Sequence, residues 1–233
     1  QKFSNEVSFA EAVSSQNALM FKDLAPKQIS TPEYAFHTNY GYHLDAGKFA
    51  ELLRKHCVEK LGVTHLKANV VSVKSTADGD IASLKTDSHG DISGDLFVDC
   101  SGSRALLLGE HFGVPFCSKG QFLFNDTALA SQIPYVNADD PIASSTLSTA
   151  QTAGWIWDIG LPTRRGIGHV YSSGHTTEDR AAQELLAYIS ATVSPEAAAS
   201  ASIRKVPFSP GHRAKFWHKN CVAVGMSAGF IEP

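Results

Sequence analysis

The sequence predicts a mixed α/β chain in which two cofactor-domain-like segments, Asp45–Leu108 and Cys221–Pro233, are interleaved with an antiparallel β-rich unit. Three observations predict it. Two apolar strands, Leu96–Cys100 and Cys221–Val224, each run straight into a glycine joint, at Ser101-Gly102 and at Gly225. Between them, from Phe122 to Tyr171, β-rich stretches are separated by Pro and Gly signals. An amphipathic pattern at Thr176–Ala191 then supplies a helix. With 233 residues, 43% of them apolar, the chain is long enough to bury a core in one large or two small domains.

Taken in order, the first forty residues mix Pro26 and Pro32 with Ser and Asn and read as loop, with a helix around Phe9–Leu19. Asp45 is the N-cap of a clear helix that carries Phe49, Leu52, Leu53 and Cys57 on one face and has Gly62 just past its end. Asn69–Ser75, Ile81–Thr86 and Leu96–Cys100 are expected to form a three-stranded antiparallel meander, turned at Asp78-Gly79 and His89-Gly90. Leu96-Phe97-Val98 has no polar interruption, which suits a strand covered on both faces. Ala105–Leu108 reads as a short helix closed by Gly109.

The second sheet is expected from Phe122–Leu129, Ser144–Ala150, Trp155–Ile159 and Gly168–Ser172. Gly166-Ile167-Gly168 precedes strand residues instead of opening a helix, so it reads as a hairpin turn. The Thr176–Ala191 helix takes Thr176 or Thr177 as its cap, with Glu178 and Asp179 in the first turn. A short helix at Pro195–Ser202, the stretch Ile203–Pro207, a basic loop (His212, Arg213, Lys215) and the strand Cys221–Val224 complete the chain. The expected division is 1–108, 109–219 and 220–233, the last segment returning to the first region.

Several function classes have no support. A net charge of −3 gives no electrostatic reason for a nucleic-acid or anionic-membrane partner. No apolar run reaches the roughly 18–20 residues of a membrane span. The start, QKFSNEVSF, has no initiator Met and does not read as a signal peptide, so a processed or truncated start and a cytoplasmic location are expected. Cys57, Cys100, Cys117 and Cys221 are scattered, and the ten histidines contain no H-E-x-x-H, so no metal site is expected. No P-loop, G-x-S-x-G elbow or G-x-G-x-x-G after an early strand appears.

Three features remain. Trp155 and Trp157, two apart on a strand, share one face, as a packed core pair or as a stacking platform for substrate. Asn69–Val73 is an ordinary buried strand by composition whose backbone could also present N–H and C=O groups to an adenine edge. Val222–Pro233 carries small residues after Gly225, which suit either a tight packing joint or a close approach of backbone amides to a pyrophosphate or flavin ring.

In this order, the segments resemble the flavin-dependent tryptophan halogenases. Tyr42-His43-Leu44-Asp45-Ala46 is similar to the family's W/Y-H-x-D-A, and Asp95–Gly102 to its D-L-F-x-D-C-S-G. Gly154–Ile159 matches G-W-x-W-x-I, with Gly160 standing where the signature's proline belongs, and Gly166–Ser173 matches G-x-G-x-V-[YF]-S-S. Asn220-Cys221-Val222 through Gly229-Phe230-Ile231-Glu232-Pro233 resembles the family's N-N-C-V…F-x-E-P run.

The resemblance implies an internal fragment holding part of an FAD-binding Rossmann-like domain, interleaved with an antiparallel substrate region as in flavin monooxygenase-like folds. It implies a parent enzyme in which reduced FAD, supplied by a separate flavin reductase, turns oxygen and a halide into hypohalous acid. A lysine and a glutamate then direct chlorination or bromination of an indole or other aromatic, with tryptophan the type substrate. Neither of those two residues matches a position here, since Glu232 matches the first acid of the terminal run and not the catalytic one. The fragment itself is therefore expected to be inactive, and it is expected to be colourless because the family's phosphate-binding G-x-G-x-x-G matches nothing here.

Carried over by position, Val70 is implied at the adenine end of FAD, and Gly225 with Met226 beside the flavin. Trp155 and Trp157 are implied in the wall between flavin and substrate. A homodimer is left open. A related flavin-dependent aromatic monooxygenase and a non-catalytic flavin-fold binding module are the alternative readings.

Overall fold

The computed structural model describes residues 8–14 and 16–231 of the chain. Most of the QKFSNEVSF start, and the pair Glu232-Pro233 quoted for the terminal motif, lie outside the described residues. The class is mixed helix and sheet, as expected. In chain order the helices are α1 (Phe9–Val13), α2 (Gln16–Met20), α3 (Ala46–Leu61), α4 (Glu178–Thr192) and α5 (Pro195–Ala199). The strands are β1 (Val70–Ser75), β2 (Ile81–Thr86), β3 (Asp91–Ser93), β4 (Phe97–Asp99), β5 (Phe116–Ser118), β6 (Thr127–Pro134), β7 (Leu147–Gln151), β8 (Gly154–Leu161), β9 (Arg164–Tyr171), β10 (Arg204–Pro207), β11 (Gly211–Arg213), β12 (Trp217–His218), β13 (Cys221–Ala223) and β14 (Gly229–Phe230). Two compact units result, one from residues 1–50 and 128–206, the other from 51–127 and 207–233.

The first unit is built on a five-stranded sheet in the order β10-β6-β9-β8-β7. Helix α4 packs on it because Ala181, Leu185 and Ile189 recur every four residues and all three are buried. They meet Leu129, Ile133, Ile156, Ile167 and Tyr171 of the sheet in one apolar cluster. Each fully buried Leu or Ile contributes about 2 kcal/mol. Thr177 caps the helix, its hydroxyl accepting from the amide of Arg180. His169, fully buried on β9, donates its Nδ1–H to the carbonyl of Ala181 at 3.1 Å and so ties helix to sheet.

A buried ion pair closes the other end of this layer. Asp158 on β8 accepts from Arg165 Nε at 3.1 Å and from the Tyr188 hydroxyl at 3.1 Å, and a second guanidinium nitrogen also reaches it. Arg165 Nη1 donates to the carbonyl of Thr192 at 2.8 Å, at the end of α4. At the start of α3, Asp45 accepts from the amides of Gly47 and Lys48 and from Arg164 Nη1 at 2.7 Å. The hydrogen bond from Arg164 is the main reason its carboxyl is held at about 2.

The second unit corrects the expected meander. β1 and β2 pair antiparallel as anticipated, but the third member is β3, Asp91–Ser93. Leu96–Cys100 contributes β4 to a different sheet, where it runs parallel to β13, with Cys221 opposite Phe97 and Ala223 opposite Asp99. The reason is Asn220. Its side-chain amide accepts from the Ile81 N–H and donates to the Ile81 carbonyl, both at 2.9 Å, while its own carbonyl accepts from the Phe97 amide at 2.8 Å. One residue thus joins the start of β2 to the start of the parallel pair. The core here is Ile81, Phe97, Leu107, Leu108, Val114, Cys221 and Ala223.

Other expectations shift for local reasons. The Phe9–Leu19 helix is two short helices. The loop that closes β8 and β9 is Pro162-Thr163, since Leu161 pairs with Arg164, so Gly166-Ile167-Gly168 is strand and not turn. The basic loop contains a strand, β11, at the centre of a three-stranded sheet with β5 and β14. Leu96 and Val98 are about half exposed, and so are Phe49, Leu52 and Leu53 of α3, so within this chain those faces are uncovered.

Removing the guanidinium from the Asp158 pair leaves a buried carboxylate without its counter-charge. Arg165→Met is expected to cost about 3–5 kcal/mol in equilibrium urea unfolding. Asp158→Leu combined with Arg165→Met is expected to recover most of that loss.

Candidate functional site

The two glycine joints predicted from the sequence are held together by one side chain. Asp99, the last residue of β4, is buried. Its carboxylate accepts from the Ser101 amide at 3.0 Å, the Ser101 hydroxyl at 2.6 Å, and the amides of Leu107 and Leu108 at 2.8 and 2.9 Å. Its backbone carbonyl accepts from the Val224 amide at 3.0 Å and from the Ser227 hydroxyl. Burial pushes the Asp99 carboxyl up, but the Ser101 hydroxyl and the backbone amides outweigh it and hold the group below the usual carboxylate range. Burial, with the Asp99 charge nearby, pushes the Cys221 thiol up to about 11.

The first joint leads through a single 3₁₀ turn, Gly102–Arg104, and a left-handed Ala105 (φ 47°) into a π-helical turn at Leu106–His111. The sequence had anticipated a short α-helix there. The second joint is a 3₁₀ turn, Gly225–Ser227, followed by the short strand β14. Gly225 has φ +69°, a left-handed conformation that suits glycine, and nothing lies within 4 Å of where its β-carbon would stand.

Met226 is half exposed and lines a groove of about 350 Å³ together with Ser103, Phe116, Phe208, Arg213 and Phe230. Gly225 and Met226 are therefore gathered with Asp99 and Ser227 at one joint. Val70 is the first residue of β1, opposite Thr86, and does not line that groove.

In the other unit, Trp155 and Trp157 share a face of β8, both half-buried, with ring centroids 6.3 Å apart in an edge-to-face arrangement. Trp157 lies opposite Gly168 on β9. A β-carbon on Gly168 would stand 2.0 Å from the Trp157 ring, so the ring occupies the space of the missing side chain. Gly160 has a similar role: a β-carbon there would meet Ile142 Cγ2 at 2.8 Å, which explains a glycine where the quoted signature has proline. Gly160 and Ile142 also line a cavity of about 680 Å³ with Met20, Leu24, Tyr40 and Tyr42.

Among the described residues, no group of three or more His, Cys, Asp or Glu side chains could hold a metal ion, and no helix is long and apolar enough to cross a membrane. In the sequence Asp99 and Asn220 stand only as letters of motifs, which do not show the hydrogen bonds that they make. The available signal was an acid two residues before a serine at a strand-to-glycine joint, the spacing at which a carboxylate reaches the amides ahead of it.

Comparison with known proteins decides the family. Residues 3–233 match the tryptophan halogenase family. The chain belongs to that family. It is 37% identical over 211 residues to the 7-chloro-L-tryptophan 6-halogenase KtzR of Kutzneria sp. (strain 744), covering 91% of this chain and 40% of that protein. It is 40% identical to the tryptophan 6-halogenase SttH of Streptomyces toxytricini, over 83% of this chain and 36% of that protein. The crystal structure of a tryptophan halogenase from Shewanella frigidimarina superposes with a TM-score of 0.91 at 55% identity, covering 98% of this chain and 43% of that one. The chain thus spans about two fifths of the length of the halogenases it matches, and its fold is the corresponding part of theirs.

Two outcomes are expected. Gly168→Ala forces the Trp157 ring off its seat, at a cost of about 1–3 kcal/mol in urea unfolding and with a changed tryptophan emission maximum. The Asp99 contribution to stability is fully present above the ordinary carboxylate pKa, roughly 3.9, and is lost as pH falls through the lowered folded value. Hydrogen exchange at the Leu107 and Leu108 amides is therefore expected to lose protection below about pH 4, and Asp99→Asn to abolish that acid step.

Proposed function

We propose that this chain is part of an FAD-dependent halogenase that chlorinates or brominates an indole or related aromatic compound. The observation that carries the reading is the match to the tryptophan halogenase family along almost the whole chain, including relatives named for halogenating tryptophan or chlorotryptophan. Reduced FAD, delivered by a separate flavin reductase in the cytoplasm, and a halide are the co-substrates in this reading.

The residues present fit a flavin nucleotide on an observation of their own. Gly225 leaves open space where a side chain would stand, so its backbone is accessible beside half-exposed Met226. A close approach of a flat ring to main-chain groups needs that absence. In this reading Gly225 and Met226 lie beside the flavin ring, largely through the main chain, and the backbone at Val70 meets the adenine end. The cofactor, when bound in its reduced form, would activate dioxygen, and that oxygen would be the oxidant that takes halide to hypohalous acid, the second oxygen atom leaving as water.

The chain's own residues then position and protect. Asp99 keeps the Gly225 turn in place by holding Val224 and Ser227 on its carbonyl. Trp155 and Trp157 present an apolar aromatic face on the β-rich side, which excludes water from a reactive electrophile. The lysine and glutamate that direct halogenation in this reading match no residue of Gln1–Pro233.

The test is a reaction of the whole protein with FAD, a flavin reductase and its reductant, oxygen, and chloride or bromide, offered tryptophan and other indoles. A product with the mass and isotope pattern of one halogen replacing hydrogen is expected. A hydroxylated product would point to the monooxygenase alternative, and a protein that neither binds FAD nor halogenates any of these compounds would sink the proposal. Gly225→Val is expected to weaken FAD binding by about tenfold or more, measured by fluorescence titration, because it fills the open space and strains a left-handed residue.

A further inference from the structure

The groove beside Met226 carries one charged side chain, and it is a cation with almost nothing to neutralise it. Arg213 is half-buried on β11, where its amide donates to the Ala228 carbonyl at 2.7 Å. Its guanidinium uses Nη1 to donate to the Val114 carbonyl at 3.1 Å and lies over the Phe116 ring, 5.5 Å from the centroid. The opposite side is set by Gly109, where a β-carbon would stand 2.8 Å from the guanidinium carbon. Among the described residues no carboxylate pairs with Arg213, and no acid lines the groove. A guanidinium held on three sides, with most of its five donors unspent, is arranged for an anion.

The walls narrow the choice of anion. Phe116, Phe208 and Phe230 line the groove, the last two packed edge to face at 5.3 Å. The other polar side chains are only the hydroxyls of Ser103 and Ser209. A phosphate dianion would turn oxygens away from Arg213 and leave them unpaired against the aromatic walls. A volume of about 350 Å³ is also far more than a halide fills. A flat aromatic body with one negative edge satisfies both the walls and the cation. The two-electron-reduced flavin ring is such a body, anionic at its pyrimidine edge, whereas the oxidised ring is neutral.

We propose that Arg213 is the cation that pairs with the anionic reduced flavin ring, so that the site binds the reduced cofactor in preference to the oxidised one. This rests on the reading above that Met226 stands beside the flavin. Arg213 is then a selectivity residue for cofactor redox state, with Gly109 as the residue that leaves room for its guanidinium.

The experiment measures, anaerobically and on the whole protein, the dissociation constants of FAD and of reduced FAD together with the reduction potential of the bound flavin. Arg213→Met is expected to weaken reduced FAD by about tenfold while changing the oxidised form less than about twofold. Such a difference lowers the bound potential by about 30 mV for a two-electron couple. Arg213→Lys, which keeps the charge, is expected to recover most of the shift. Gly109→Ala pushes the guanidinium off its seat without removing it and is expected to move the potential in the same direction, so it decides the matter if Arg213→Met fails to fold.

An unchanged potential in Arg213→Met and Gly109→Ala with flavin still bound, or equal weakening of both redox forms, overturns the proposal and leaves the halogenase reading standing. A wild-type protein that binds neither form of FAD overturns the reading itself.

Discussion

Asp99 is the point on which the second unit turns. A strand that ends in a buried carboxylate must find hydrogen-bond donors for it, and the nearest are the amides of the chain that follows. Ser101, Leu107 and Leu108 supply them, which bends the chain through its first glycine joint. The same residue's carbonyl takes Val224 and Ser227, so the second glycine joint is fastened to the first. Parallel pairing of β4 with β13 brings the two joints to the same end of the sheet, where a ligand of this architecture is expected. The joint that carries Gly225 and Met226 is thus positioned through hydrogen bonds to the residues on either side of them, Val224 and Ser227.

The first unit obeys a different constraint. Its sheet has one face under α4, where Ile156 and Asp158 point, and another on which Trp155 and Trp157 stand. Period-two alternation assigns the residues to the two faces. The buried face tolerates Asp158 because Arg165 and Tyr188 both reach it, and Arg165 in turn binds the last turn of the helix. The charge pair therefore fixes where α4 ends relative to β8 and leaves the aromatic face clear of the core.

Much of this was legible in the sequence. The α4 pattern, a cap at Thr176 or Thr177 (it is Thr177), Asp45 as an N-cap and the tryptophan strand are all local signals, and each is where the residues predict it. What was not legible depends on partners far along the chain. Leu96–Cys100 could not announce a parallel neighbour more than a hundred residues later, nor Asn220 that its amide would imitate a strand edge for Ile81. The glycines of Gly166-Ile167-Gly168 looked like a turn because the indole that needs Gly168 sits on the neighbouring strand. At the candidate site, Gly225 and Met226 could be named from a motif. Arg213 could not, since a cation in a basic stretch looks solvated until β11 is seen to place it against Phe116 and Gly109.

The seat of Trp157 on Gly168 also bears on how the aromatic face could be reshaped. The indole takes its orientation from an empty position on β9, so its geometry is encoded on the strand that does not carry it. Exchanging residues on β8 alone would alter which ring is displayed while leaving its tilt to the neighbour. Varying position 168 would tilt the same ring with no change of chemistry, which makes β9 a separate handle on the shape of that surface.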